Sequence, residues 1–155
     1  WPEFQLRHQG YVRAQRDAGL EPDARLAVEA QSSEAEGHAA ALRLLDCGAP
    51  FDAVFAASDR IAIGVIAALR DRGRSVPGDV SVVGFDDIAA AAHFNPPLTT
   101  VQQDTQRAGE MLVDNLLRLI DGEQVESALI EPRLVVRASC GGAPGAVSVL
   151  PDRQP

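Results

Sequence analysis

The sequence predicts an α/β fold in which a parallel sheet is flanked by helices. Three observations carry that prediction. Short β-branched runs alternate with helical periodicities of roughly 12 to 15 residues, the pattern of right-handed βαβ units. The two clearest runs, FDAVFAA over 51–57 and VSVVGF over 80–85, are each followed at once by residues suited to opening a helix. Of the 155 residues, 46% are hydrophobic and 23% charged, a composition that suffices for one core and is ordinary for a folded domain.

Pro2 to Gly19 reads as a helix. Pro2 suits a first turn, Phe4, Tyr11, Ala14 and Ala18 form a loose apolar stripe, and Gly19 ends it. Arg25 to Ala30 alternates as a short strand. Ser33 is placed to cap the next helix, with Glu34 and Glu36 in its first turn and Ala40, Leu44 and Leu45 facing inward until Gly48. After the strand at 51–57, Ser58 or Asp59 caps a helix whose Ile61, Val65 and Leu69 recur every four residues, and Gly73 ends it.

Pro77-Gly78 introduces the strand that ends at Phe85, followed by a short alanine-rich helical turn. Asn95-Pro96-Pro97 cannot continue that helix and sends the chain stiffly into Leu98-Thr99-Thr100-Val101. From Thr105 to Asp121 a helix carries a broad stripe: Ala108, Met111, Leu112, Leu116, Leu119 and Ile120, widened by Val113 and Leu117. Such a stripe calls for burial on more than one side. Gly122 ends it, Leu129 to Ser139 reads as a last strand interrupted at Pro132, and the Gly/Pro-rich residues 141–155 read as a flexible tail.

Several function classes recede on composition alone. The net charge is -8 and the 14 Lys and Arg are dispersed, so no segment offers a footprint for nucleic-acid phosphates. No apolar run approaches the roughly 20 residues that span a bilayer. Cys47 and Cys140 are too few for a disulfide scaffold, which fits a reducing cytoplasm. His8, His38 and His93 lack ligand spacing, so no metal or cofactor is expected. The chain opens on Trp1 and its one methionine is Met111, which reads as a processed product or a fragment. Phosphate-loop, dinucleotide-binding and nucleophile-elbow motifs do not occur.

The carboxyl ends of the two best strands deliver Ala57-Ser58-Asp59 and Phe85-Asp86-Asp87 to one rim, where open parallel sheets bind small molecules. Asp86-Asp87 admits two readings. Asp86 presents an acceptor to ligand hydroxyls, or the pair caps the alanine-rich turn, a role that suits Asp87 best. Adjacent side chains on an extended strand end point to opposite sides, which disfavours a catalytic pair. Ser58 reads as a capping serine, Arg7 as a surface arginine on the first helix, and Phe94 either as a face for a sugar ring or as simple packing.

Taken in order, LRHQGY with Arg7, Gly10 and Tyr11, AVFAASDRIAIGVIAALRDRG, VPGDVSVVGFDDI, NPPLTTVQQD and LVVRAS span about Gln5 to Ser139. That set resembles the C-terminal half of the effector-binding domain of the lac repressor (LacI/GalR) family of transcription regulators. The resemblance implies a periplasmic-binding-protein-like (type I) fold of two α/β lobes joined by three crossings, represented here mostly by the C-terminal lobe. Residues 1–140 would be a partial effector-binding domain, with 102–125 belonging to the N-terminal lobe of the intact fold. Arg7 and Asp86 are implied as effector contacts, with Ser58, Phe94 and Gln103 at positions that line the cleft.

Ser58 stands where relatives usually carry asparagine, and no aromatic occurs near Ser32-Ser33, where many relatives stack one on a sugar. The implied protein is a cytoplasmic, non-enzymatic, homodimeric regulator that binds a sugar or polyol. It would reach operator DNA through a helix-turn-helix headpiece absent from this stretch. The alternative is the periplasmic sugar-binding protein of a transporter, which shares the two-lobe fold.

Overall fold

A computed structural model describes residues 2–142 and 147–149, the last three by backbone alone. Helices and strands follow in the order α1 (Pro2–Asp17), α2 (Glu34–Asp46), β1 (Ala53–Phe55), α3 (Asp59–Asp71), β2 (Ser81–Val83), α4 (Ala89–His93), β3 (Thr100–Gln102), α5 (Thr105–Ile120), β4 (Arg133–Val135) and β5 (Val147–Val149). Single 3-10 turns occur at Ala24–Leu26 and Ala138–Cys140.

The core lies between α3 and the strands. Ile66, Ala62, Ala68 and Leu69 of α3 are fully enclosed against Val80, Val82, Ala91 and Leu98. Burying side chains of this size stabilises the fold by about 1.5–3 kcal/mol each for the larger aliphatics. α2 crosses α3 where both present glycine. A Cβ on Gly37 would run into the Ile61 carbonyl, and one on Gly64 into the Glu34 carbonyl, so the helix backbones approach too closely for any side chain. Both helices start as the sequence predicts: the Ser33 hydroxyl accepts from Glu36 N–H at 3.2 Å and the Ser58 hydroxyl from Ile61 N–H at 3.4 Å.

The expected parallel sheet is present at its centre. β1 and β2 pair in parallel, Ala53 to Ser81 and Phe55 to Val83. Parallel bridges Val83–Thr99 and Asp86–Gln102 extend it to the third chain segment. Beyond that the direction reverses, because β4 runs antiparallel to β3 and β5 antiparallel to β4. The sheet is therefore mixed. Antiparallel returns need no crossover helix, and none separates β4 from β5.

Three sequence expectations are corrected. Arg25 to Ala30 is not a strand: a 3-10 turn covers Ala24–Leu26, and no strand pairs with 27–30 among the described residues. The alternation survives, with Leu26, Val28 and Ala30 half-buried and Ala27 and Glu29 exposed, but a strand is defined by a partner. The last strand spans only Arg133–Val135, after which the chain tightens into the 3-10 turn that buries Ser139. Of the tail expected to be flexible, 147–149 forms β5, while 143–146 and 150–155 lie outside the described residues.

α1 and α5 contain no buried residue. On α5 the broad stripe faces solvent, with Leu112 at 70% and Ile120 at 71% exposure. On α1, Phe4 and Tyr11 are half-covered while Ala14 and Ala18 remain exposed.

Candidate functional site

Two hydrogen bonds place the carboxyl ends of β1 and β2 side by side. Asp59 N–H donates to the Phe85 carbonyl at 2.8 Å and Asp86 N–H to the Val101 carbonyl at 2.9 Å. α1 lies over this rim from the other side. Arg7 donates from Nη1 to the Ala57 carbonyl at 2.7 Å, and its guanidinium sits over the Phe85 ring, 3.7 Å from Cζ to centroid, and 5.0 Å from that of Phe4. An arginine held by a carbonyl and an aromatic face has lost most of its rotamer freedom, so its remaining donors are aimed in advance.

The Asp86 carboxylate meets this guanidinium at 3.8 Å and accepts from Gln103 Nε2 at 3.0 Å. The Asp86 side chain stays 36% exposed while Arg7 is only 15% exposed, so the open lone pairs of the pair belong to the aspartate. Burial pushes the Asp86 carboxyl above its ordinary range, against the opposing pull of the Arg7 charge and the Gln103 hydrogen bond.

The backbone here is not an extended strand end. Asp86 has φ 114° and Asp87 φ 55°, both in the region that favours glycine. Strain of this kind costs about 1–3 kcal/mol per residue and persists only where surrounding bonds over-determine it. Asp59, fully enclosed, supplies them. Its N–H holds the carbonyl of Phe85 before the turn, and its Oδ2 accepts from Ile88 N–H after it at 2.9 Å. Oδ1 accepts from the Thr100 hydroxyl at 2.6 Å. The carboxylate packs so tightly on Gly84 that a Cβ there would strike it. Burial pushes the Asp59 carboxyl upward, opposed by the Thr100 and Ile88 hydrogen bonds.

Asp87 does not cap α4. Ile88 occupies the N-cap position without a side-chain bond. Asp87 instead pairs with Arg137 at 2.6 Å and accepts from Gln102 Nε2 at 2.9 Å. Arg137 also donates to the Leu98 carbonyl at 2.8 Å, which ties the 3-10 corner to β3. Asp86 and Asp87 thus do point apart as the sequence predicts, through the twist of a positive-φ turn and not through strand alternation.

Of the residues implied by the resemblance, Arg7, Asp86 and Gln103 come together. Ser58 lies near them in the chain trace, being next to Ala57, but is 1% exposed; its hydroxyl is engaged by the α3 cap and by the Ser32 hydroxyl at 2.8 Å. Phe94 ends α4 and packs, half-buried, on the core cluster. Sequence reasoning missed three contributors: the Phe85 ring beneath Arg7, the buried Asp59, and the exposed Ser32 that covers Ser58. The run GFDD adjoining SD held the signal for Asp59, since a carboxylate one residue past a capping serine has little reason to be wholly enclosed unless it serves another segment. Among the described residues no group of three or more His, Cys, Asp or Glu is placed to hold a metal ion.

A mixed sheet whose parallel strands end at a rim of one arginine, one aspartate and one glutamine defines part of a periplasmic-binding-protein-like domain. Residues 2–140 match the family of the periplasmic binding protein-like domain, and the chain belongs to that family, in the form found in LacI-family regulators. It is 42% identical over 135 residues to the HTH-type transcriptional regulator CelR of Thermobifida fusca, covering 86% of this chain and 40% of that protein. It is 36% identical over 140 residues to the HTH-type transcriptional repressor PurR of Serratia proteamaculans, covering 89% and 41%.

Solved structures agree. The CelR–cellobiose complex superposes with a TM-score of 0.81 at 41% identity, covering 86% of this chain and 41% of the other. The lac repressor dimer bound to operator and the anti-inducer ONPF gives 0.82 at 32% identity, covering 88% and 47%. The chain spans about two-fifths of the length of the curated relatives it matches.

Proposed function

We propose that this chain is the effector-sensing part of a LacI-type transcription regulator and that Arg7, Asp86 and Gln103 hold a small polyhydroxylated ligand. The observation that carries the reading is the convergence of these three side chains at the carboxyl rim, with Arg7 immobilised and Asp86 left open. Hydroxyls donate to the carboxylate and accept from the guanidinium, and charge-assisted bonds of this sort are about twice as strong as neutral ones. Phe85 beneath Arg7 keeps the guanidinium flat against the rim. Ser58 and Phe94 support the site from behind, as the α3 cap and as core packing.

The ligand acts by differential affinity. An effector that prefers one arrangement of two lobes shifts their equilibrium, and a DNA-reading headpiece elsewhere in the regulator responds to that shift. In this reading, residues 102–125 belong to the second lobe, and the exposed apolar face of α5 is a surface that another part of the dimeric regulator covers. The regulator is cytoplasmic and not an enzyme. No helix among the described residues is long and apolar enough to cross a membrane. The relatives being HTH-type regulators supports this reading over a transporter's periplasmic sugar-binding protein.

Calorimetry on the full-length regulator, first with cellobiose and then with other disaccharides, monosaccharides, polyols and nucleobases, tests the proposal. A saturable heat that weakens by about 1.5–3 kcal/mol in Asp86→Ala is the expected result. Unchanged affinity in that variant removes Asp86 from the site. No heat from any hydroxylated compound, with binding of a ligand lacking hydroxyls, overturns the ligand class.

A further inference from the structure

The largest cavity, about 1060 Å³, does not lie at the Arg7–Asp86 rim alone but runs down beneath α1. It exceeds the roughly 300–1,000 Å³ of ordinary small-molecule pockets, and its walls are backbone. Residues 26–30 form one side and 53–57, including β1, the other. Its two faces are covered as well, by Ala40, Leu44, Ile61 and Val65 from α2 and α3 and by Phe4 and Tyr11 from α1.

The pairing of β1 shows what this slot takes. Ser81 N–H donates to Asp52 C=O and Ala56 N–H to Val83 C=O, so 52, 54 and 56 bond toward β2. Successive residues of a strand bond to opposite sides, so Ala53 and Phe55 direct their N–H and C=O groups into the slot. The opposite wall keeps the period-2 burial of a strand that has no partner.

We infer that the slot seats one extended β-strand, parallel to β1, supplied by polypeptide that leads into the amino end of α1. The source follows from the direction of α1. Arg7 touches Ala57 while Tyr11, one turn later, stacks on Phe55 with ring centroids 6.2 Å apart. The helix therefore runs antiparallel to β1, and a strand joined to its amino end by a short turn runs parallel to β1, as a right-handed βα unit requires. Buried on both faces, that strand is an uncharged, β-branched run. It would order the strands as 25–30, the added strand, β1, β2 and β3.

The test is amide exchange by NMR on the 155-residue chain with and without millimolar acetyl-Lys-Ile-Ala-Val-Ile-Gly-amide. The expected result is slowing of the Ala53 and Phe55 amides by about tenfold or more, with Val54, already bonded to β2, unchanged. A peptide carrying proline at alternate positions leaves both amides fast. Ala53→Pro removes a donor that β2 does not use, so the fold stands and peptide affinity drops several-fold. Equal exchange of both amides with and without the peptide overturns the inference. So does protection of both amides in peptide-free chain at a concentration where light scattering finds a dimer, since a second copy then fills the slot.

Discussion

Asp59 clamps the turn that carries Asp86. Its backbone N–H grips the residue before Asp86 and its side chain grips the second residue after it, so a wholly buried carboxylate brackets the one that faces the cleft. The strained φ values of Asp86 and Asp87 are stable because both ends of the turn are tied to the start of α3.

Asp59→Asn replaces one acceptor oxygen by a donor that faces either the Thr100 hydroxyl or the Ile88 N–H. Leaving a buried donor unsatisfied costs about 1–3 kcal/mol, which urea unfolding would register. If Asp59 acts on the ligand through Asp86, Asp59→Asn weakens effector binding in the parent but adds little in an Asp86→Ala background. Full additivity in that double-mutant cycle refutes the coupling.

The Asp87–Arg137 pair has side chains only 12% and 18% exposed. Removing one member strands the other charge, so Arg137→Met or Asp87→Ala lowers stability by about 3–5 kcal/mol. The double variant Asp87→Ala with Arg137→Met loses less than the sum of the two single variants. Equal losses for exposed control pairs such as Arg72–Asp46 would contradict the role of burial.

The raised carboxyl of Asp86 has a defined consequence for pH dependence. A group whose folded pKa lies above its unfolded value contributes stability below the unfolded value and loses it as pH rises through the folded one. Asp86→Asn should therefore show no pH-dependent gain over the parent below about pH 3.8, the ordinary aspartate value. A gain should appear as pH rises from there and level off once the parent carboxyl is ionised. A variant that loses ground with rising pH instead would reverse the assigned sign.

Gly64 and Gly10 make a matched pair of substitutions. Gly64→Ala drives a methyl into the Glu34 carbonyl where α3 meets α2, and overpacking of this kind costs about 1–3 kcal/mol. Gly10 lies in α1 with nothing within 4 Å of a built Cβ, so Gly10→Ala gains about 0.5–1 kcal/mol from helix propensity. Thermal unfolding of both variants should move in opposite directions.

Leu112, Leu116 and Ile120 leave an apolar strip on α5 exposed to water. The 155-residue chain should self-associate at high concentration in light scattering, and Leu112→Glu with Ile120→Glu should return it to monomer. A parent chain that stays monomeric throughout would show that the strip is tolerated in water.

Local signals were legible where the physics is local. Ser33 and Ser58 cap the helices that their spacing predicts, and Gly19, Gly48, Gly73 and Gly122 sit at positive φ just past helix ends. Asp87 was misread because its partner Arg137 stands 50 positions away, and no local pattern distinguishes a capping aspartate from one that awaits a distant arginine. Asp59 was missed for the same reason: the bonds that bury it come from Thr100 and Ile88.

The sequence by itself determined the helices, the apolar runs, the α/β class and the ordered motifs that carry the family resemblance, because periodicity and caps act over one or two turns of chain. Only the tertiary structure decided which runs became strands, since a strand exists by virtue of its neighbour: RLAVEA alternates yet has none, whereas Val147–Val149 finds one in β4. It also decided what the two aspartates do. Asp86 and Asp87 are chemically identical, and their roles were separated by a positive-φ turn that sends one carboxylate to Arg7 and the other to Arg137.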